Sequence, residues 1–180
     1  YPSNPLDAKG LLLSSIDDEN PVLFFEHKAL YRSLSEEIPF GNFHTDLGKA
    51  KVIQSGDAIT IVSYGMGIVW IKDFIDNNPS YKELLEIIDL RTLLPWDKDT
   101  VIESIKKTNK LLIINEDNIT GSISGEISAY IAENAFEYLD APILRLGSLD
   151  TPIPFSDKLE KEVYFPTDKI EKTIKKLIEY

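Results

Sequence analysis

The 180-residue chain has no cysteine. This excludes disulfides, thiolate nucleophiles and cysteine-based metal sites, and it leans towards a reducing compartment, most simply a bacterial cytoplasm. Histidine is almost as scarce. His27 and His44 are the only two; both sit in irregular sequence without a second ligand at metal-binding spacing. His27, next to Glu26, could handle a proton, and a surface or interface role is the plainer reading. No apolar run approaches the roughly 18 residues of a membrane span. No signal peptide is visible, and the start at Tyr1 leaves an upstream segment, a mitochondrial leader included, open. Cations are short as well: 19 Lys and Arg against 30 Asp and Glu give a net charge of -11. Nucleic acid needs a concentrated basic face, so it is an unsuitable partner.

What is present is ordinary for a globular chain, with 43% hydrophobic and 27% charged residues. The length suits one medium domain, or one domain plus a piece of another. Asp7 to Ile16 reads as a short helix capped by Asp7, with Leu11, Leu12 and Ile16 on one face. "VLFFE" (Val22 to Glu26) is a continuous apolar run of the kind found in strands buried on both faces. Irregular sequence marked by Pro39 and Gly41 follows. From Gly48 the rhythm is fuller. Lys49–Gln54 and Ile59–Ser63 read as strands around a Gly56-Asp57 hairpin signal. Further strands are expected at "LLEIIDL", "KLLIINED" and "PILRLGS". Between and after them, "IVWIKDFIDNN", "DKDTVIESIKKTN", "GEISAYIAENAFEYL" and "DKIEKTIKKLIEY" have helical periodicity, the last with Ile170, Ile174, Leu177 and Ile178 on one stripe. Such alternation predicts an α/β fold: a three-layer, mostly parallel five-stranded sheet whose first strand is an antiparallel edge. One helix and one strand in residues 1–43 cannot enclose a core. They either pack on the rest or form the tail of another domain.

Several motifs could carry chemistry. "YGMGIVW" places Gly65-x-Gly67 between a strand and a helix, and Asp89 ends the next strand, positioned for a ribose hydroxyl in a dinucleotide site. Trp70 stands at the third glycine position, where an indole obstructs close packing, so turn-shaping glycines are the plainer reading. "TGSISGE" could present amide groups to an anion, but Glu126 repels one, and Gly121 and Gly125 are better read as allowing tight packing. Asp89 and Arg91 point the same way on extended chain and can pair. Asp97 or Thr100 can cap the next helix, the latter in a Thr100-x-x-Glu103 capping box. None of this requires a general acid or a nucleophile.

In series, the stretches "AKGLLLSSIDDENPVLFFEHKALYR", "GKAKVIQSGDAITIVSYG", "EIIDLRTLLPWDKDTVIESIKKTNKLLIINE", "TGSISGEIS" and "LDAPILRLGSLDTPIP" resemble the C-terminal half of the beta subunit of thiamine-diphosphate-dependent 2-oxoacid dehydrogenases. "FFEHKALYR" and "DLRTLLPWD" look more like the branched-chain (2-oxoisovalerate) type than the pyruvate type. The resemblance implies that residues 1–43 are the tail of the pyrimidine-binding domain and residues 44–180 a transketolase-type C-terminal domain. It also implies a parent that decarboxylates a 2-oxoacid on thiamine diphosphate with Mg and reductively acylates a lipoyl group. The activating glutamate and catalytic histidine would lie upstream of Tyr1, so this part alone should be inactive.

Three features carry over by resemblance. "SIDDEN" matches a potassium-binding turn at Ser15, Asp18 and Asn20, whose main-chain oxygens would hold the ion, as suits a hard cation. Asp140 and the carboxylate of Tyr180 match an acidic site for the subunit-binding domain of the lipoyl acyltransferase core. The C-terminal helix and "DTPIPF" match a surface that pairs beta subunits, which implies a homodimer alongside an alpha subunit or region. "TGSISGE" is less glycine-rich than the family loop, and Phe155 stands where many relatives have histidine. The rival readings are an autonomous nucleotide-binding domain using Gly65, Gly67 and Asp89, a transketolase-like transferase, and a plain dimerisation module.

Overall fold

The structure is a computed structural model that describes residues 1–164 and 167–180. Helices α1 (Pro5–Asp17) and α2 (Leu30–Ser33) precede strands β1 (Lys51–Gln54) and β2 (Ile59–Ser63). There follow α3 (Met66–Asn77), β3 (Leu85–Asp89), α4 (Lys98–Thr108), β4 (Leu111–Asn118), α5 (Ile123–Asn134) and β5 (Leu144–Ser148). Two further helices, α6 (Asp157–Val163) and α7 (Thr167–Ile178), end the chain.

The strands form one sheet in the order β1-β3-β2-β4-β5. β2 to β5 are parallel and β1 is an antiparallel edge on β3. The expected five-stranded, mostly parallel sheet is therefore present, but β1 and β2 are not a hairpin, because β3 lies between them. Gly56 explains the difference. A Cβ there would stand 2.2 Å from the main-chain carbon of Leu85, so the chain passes against the start of β3 instead of folding back on β1. Ala58 N and Ile59 N both donate to Leu84 O, at 2.9 and 3.0 Å, which fixes that crossing.

Side chains alternate across the sheet and give two cores. Ile59, Ile61, Ile87 and Ile114 join Ile68 and Ile71 of α3 and Ile170, Ile174 and Leu177 of α7. Val62, Ile88 and Ile113 join Val101 and Ile105 of α4 and Ile127 and Ile131 of α5. A helix layer thus covers each face. Thr60 faces α4 and shares hydrogen bonds of 2.6 Å with Ser104 and with Thr108, so this polar position is satisfied within the apolar layer.

α4 is capped by Asp97, whose Oδ1 accepts from Thr100 N at 3.2 Å. Thr100 is thus a partner of the cap and does not open a capping box of its own. α1 is capped by Asn4 and not by Asp7, with Asn4 Oδ1 accepting from Asp7 N at 2.8 Å. Of its expected apolar face only Leu11 is buried, while Leu12 and Ile16 are exposed. Val22 to Glu26 forms no strand, and Val22, Leu23 and Phe25 are exposed. A strand needs a ladder partner, and among the described residues no strand of the sheet lies alongside this run. Gly121 has φ +81, and a Cβ there would meet nothing within 4 Å; at Gly125 the nearest atom is Arg145 Nη1 at 3.5 Å. These two glycines therefore do not serve tight packing; Gly121 serves backbone conformation. Among the described residues no helix is long and apolar enough to cross a membrane.

Candidate functional site

β2 connects onward to β3 on one side, while β4 lies on its other side. The strand order therefore reverses between β2 and β4, and in open α/β sheets such reversals leave a crevice at the carboxyl ends of the strands. Three acidic or phenolic groups mark that edge: Tyr64 just after β2, Asp89 ending β3, and Glu116 near the end of β4. A cleft of about 380 Å³ lies here, lined among others by Tyr1, Phe25, Tyr64, Glu116, Ile153 and Tyr164.

Glu116 is almost fully buried and takes hydrogen bonds from three separate segments. Tyr1 Oη donates to Oε2 at 3.3 Å, His27 Nε2 lies 2.5 Å from Oε1, and Tyr164 Oη also donates to Oε1. A carboxylate accepting from an imidazole requires the Nε2–H form, and His27 Nδ1 is then a buried nitrogen without a partner among the described residues. Burial, reinforced by Glu116, holds the Tyr1 phenol well above its usual range. Burial, with Asp117 and Glu116 nearby, pushes Tyr64 up to about 12. Both phenols stay protonated donors near neutrality.

The Tyr1 ring fills the niche above Gly65. A Cβ on Gly65, whose φ is +52, would meet that ring at 2.3 Å. The ring packs edge-on to Tyr64 with centroids 5.2 Å apart and stacks on Phe25 at 6.3 Å. Gly67 is tight for another reason: its Cβ would stand 2.2 Å from Ser63 Oγ. Asp89 is fully buried; Ser3 Oγ donates to its Oδ2 and Arg91 N donates to its Oδ1 at 3.0 Å. The two glycines and the acid of the dinucleotide reading are therefore brought to one edge, where the ring of Tyr1 covers Gly65 and the hydroxyl of Ser3 engages Asp89.

Asp89 and Arg91 do not pair through their side chains. Arg91 has a left-handed φ of 58, which turns its guanidinium away to Lys49 O at 2.8 and 3.0 Å and to Asp7 Oδ1 at 3.3 Å. The acid receives only the arginine's main-chain N–H. Burial pushes the Asp89 carboxyl up to about 6, against the pull of Ser3 and the Arg91 amide.

The other expected residues lie apart from this crevice. In the turn after α1, Asp18 Oδ1 accepts from Asn20 N at 2.8 Å and from Asn20 Nδ2 at 3.0 Å, while Ser15 Oγ donates to Leu11 O at 2.7 Å. Asp140 is exposed and its amide donates to Asn109 O at 2.8 Å. Tyr180 is exposed at the chain's end. Among the described residues no three His, Asp or Glu side chains converge as a metal site. Glu116, Tyr1 and Tyr164 were not singled out by sequence reasoning. The available signal was an acid just after the apolar run of β4, "LLIINE", as Asp89 follows the apolar pair in the "EIID" of β3.

Comparison with known proteins gives this geometry a family. Residues 48–170 match the family model of the transketolase C-terminal domain. The chain is 40% identical over 180 residues to the 2-oxoisovalerate dehydrogenase subunit beta of Bacillus subtilis, covering 99% of this chain and 55% of that protein. It is 41% identical over 155 residues to the pyruvate dehydrogenase E1 component subunit beta of Mycoplasma pneumoniae, covering 86% of this chain and 47% of that protein. The chain thus spans about half the length of these relatives. A solved split-gene transketolase, described as an inactive beta4 tetramer, superposes with a TM-score of 0.65 over 82% of this chain and 47% of its own, at 18% identity, which is a likeness of fold. With its parallel sheet, its antiparallel edge strand and a family match across most of its length, the chain belongs to the transketolase C-terminal domain family.

Proposed function

We propose that the chain is the C-terminal portion of the beta subunit of a 2-oxoacid dehydrogenase of the branched-chain type. Residues 44–180 are then the transketolase-type domain, and residues 1–43 are the tail of the pyrimidine-binding domain. The observation that carries this reading is the 40% identity to a 2-oxoisovalerate dehydrogenase beta subunit sustained over 99% of the chain. The exposed, unpaired run Val22–Glu26 supports the division, because a continuous apolar segment of this kind suits a sheet supplied by further chain. Thiamine diphosphate, with Mg, supplies the carbanion chemistry of decarboxylation in the parent, which passes the acyl group to a lipoyl carrier. The present residues serve subunit pairing and assembly. Ile153 and Phe155 of "DTPIPF" are exposed, as a pairing surface between beta subunits needs.

The test is to express the whole parent subunit with its alpha partner and assay 2-oxoisovalerate and pyruvate with a lipoyl-domain acceptor. The expected result is turnover with 2-oxoisovalerate preferred, and none from the 180-residue chain alone. Failure with every 2-oxoacid sinks the dehydrogenase reading, and ketol transfer between sugar phosphates would replace it with a transferase. Preference for pyruvate would overturn only the branched-chain assignment, which the comparable identity to a pyruvate enzyme keeps open to test. The same preparation tests two finer sites. In the turn after α1 the Asp18 carboxylate is engaged by Asn20, so potassium would be held by main-chain oxygens of Ser15, Asp18 and Asn20; identical melting in potassium and choline buffers rules that out. Asp140 and Tyr180 would mark the acidic site for the acyltransferase core, and undiminished core binding by Asp140→Ala counts against it.

A further inference from the structure

The cleft of about 380 Å³ at the carboxyl edge has the size of a small-molecule site. Its apolar walls are Tyr1, Phe25, Tyr64, Leu93, Ile153 and Tyr164. Phe25 and Ile153 are the most exposed of these, and Ile153 is shared with the proposed pairing surface. The polar lining is Glu116, Asp117 and Asn118, with no Lys or Arg among the described residues that line it. The two cations nearest this edge are engaged outside it. The Tyr1 ammonium donates to Arg91 O at 2.9 Å and faces Asp89, and the Arg91 guanidinium serves Lys49 O and Asp7. His27 meets Glu116 but does not line the cleft.

Two polar groups of the cleft have unused capacity. Tyr64 is only 6% exposed, yet its Oη has no hydrogen-bond partner among the described residues. The unpartnered side-chain atoms that are also shut off from solvent are His27 Nδ1 and Asn115 Oδ1, so the Tyr64 oxygen opens into the cleft it lines. Asp117 is exposed, and one of its oxygens accepts from Asn118 N at 2.8 Å. No cation pairs with it among the described residues. Its charge reaches the phenols of both Tyr1 and Tyr64, which puts it on the cleft side. Glu116, in contrast, is already engaged by Tyr1, His27 and Tyr164. The free capacity is therefore for accepting hydrogen bonds, beside aromatic walls and under negative charge.

We propose that this cleft binds a small primary ammonium ion that carries an aryl group. The ammonium donates to the Asp117 carboxylate and to Tyr64 Oη, while the aryl body packs on Phe25, Leu93 and Ile153. A cation beside aromatic rings gains further from their negative faces. An anion would meet two carboxylates here, and a neutral molecule would leave Asp117 unanswered. The groove of about 430 Å³ between α1 and α2 also holds two acids, but both are engaged: Glu26 accepts from Tyr31 Oη and Glu36 from Leu6 N. The proposal stands apart from the dehydrogenase reading and does not depend on it.

The test is an NMR titration of the full chain at neutral pH with three probes of similar shape. They are 2-phenylethylammonium, neutral 2-phenylethanol and anionic 3-phenylpropanoate. The ammonium should bind about tenfold more tightly than the alcohol, the anion should be weakest, and added salt should narrow the gap. Shifts should centre on Tyr64, Leu93 and Asp117. Asp117→Asn should cut the preference for the ammonium over the alcohol about threefold, and Tyr64→Phe should weaken the ammonium by a similar factor. Equal binding of ammonium and alcohol, no binding of the ammonium, or shifts centred on the groove between α1 and α2 would each overturn the assignment. So would an unchanged preference in Asp117→Asn. Should either variant not fold, the probe comparison and the shift map in the unaltered chain decide.

Discussion

Gly67 shows how little room single positions leave. Its missing Cβ is replaced in space by the Ser63 hydroxyl, which donates to Ile114 O at 2.7 Å. Gly67→Ala should displace that hydroxyl and cost about 1–3 kcal/mol in urea unfolding. Adding Ser63→Ala should cost less than the sum of the two single changes, because no oxygen remains to clash; strict additivity would refute the packing account. Asp97 is a second such position, accepting from Ala50 N at 3.1 Å as well as from Thr100. Burial pushes its carboxyl up, but the Thr100 and Ala50 donors outweigh this and hold it below the usual range. Asp97→Ala should cost about 1–2 kcal/mol. A depressed acid stabilises above its unfolded value and loses that contribution as pH falls through the folded one, so the deficit should shrink in acid. Sequence spacing made Gly65, Gly67 and Asp89 visible as a set at one strand edge. It could not reveal that Tyr1 and Ser3 fill the space between them, because those contacts span from the first residues to the middle of the chain. The direction of Arg91 was equally hidden, since a left-handed φ at a non-glycine residue leaves no periodic trace.

At the scale of elements, periodicity was a good guide wherever a helix or strand finds a neighbour to bury against. α7 is the clearest case: Ile170, Ile174 and Leu177 are fully buried as its pattern implied, and only Ile178 strays to the surface. Ile174→Ala should therefore cost about 2–5 kcal/mol by leaving a cavity in the layer that covers β2 and β5. Ile178→Ala should stay within about 0.5 kcal/mol, both read from denaturant midpoints. Val22–Glu26 failed for the converse reason. A continuous apolar run states a demand for burial, and whether it is met depends on a sheet that sequence periodicity does not locate. α6 escaped notice because a seven-residue, mostly charged helix carries no apolar stripe to read.

The whole molecule divides into a sheet sealed by helices on both faces and a leading segment that leaves several large apolar side chains in solvent. Leu23 is 84% exposed and Phe40 fully so. In the isolated chain Leu23→Ser and Phe40→Ser should shift stability by no more than about 0.5 kcal/mol. In the parent subunit proposed above, the same pair should lower the melting temperature, because there the run would lie between packed surfaces; no difference between the two settings would count against that placement. The sheet's architecture was legible from alternation alone, since helices between strands enforce parallel neighbours. The position of β1 was not, because a turn signal names a change of direction and not the strand that receives it.

That strand order also sets a timetable for folding. β1 is synthesised before every other strand of the sheet, yet its neighbour in the sheet is β3, which follows an intervening strand and helix. On a ribosome β1 must wait, extended and unpaired, while β2 and α3 emerge, and it can dock only once β3 has found β2. The first strand written is among the last to be placed, and a stalled or shortened chain ending before Leu85 would carry it as a free edge, open to pairing with another molecule.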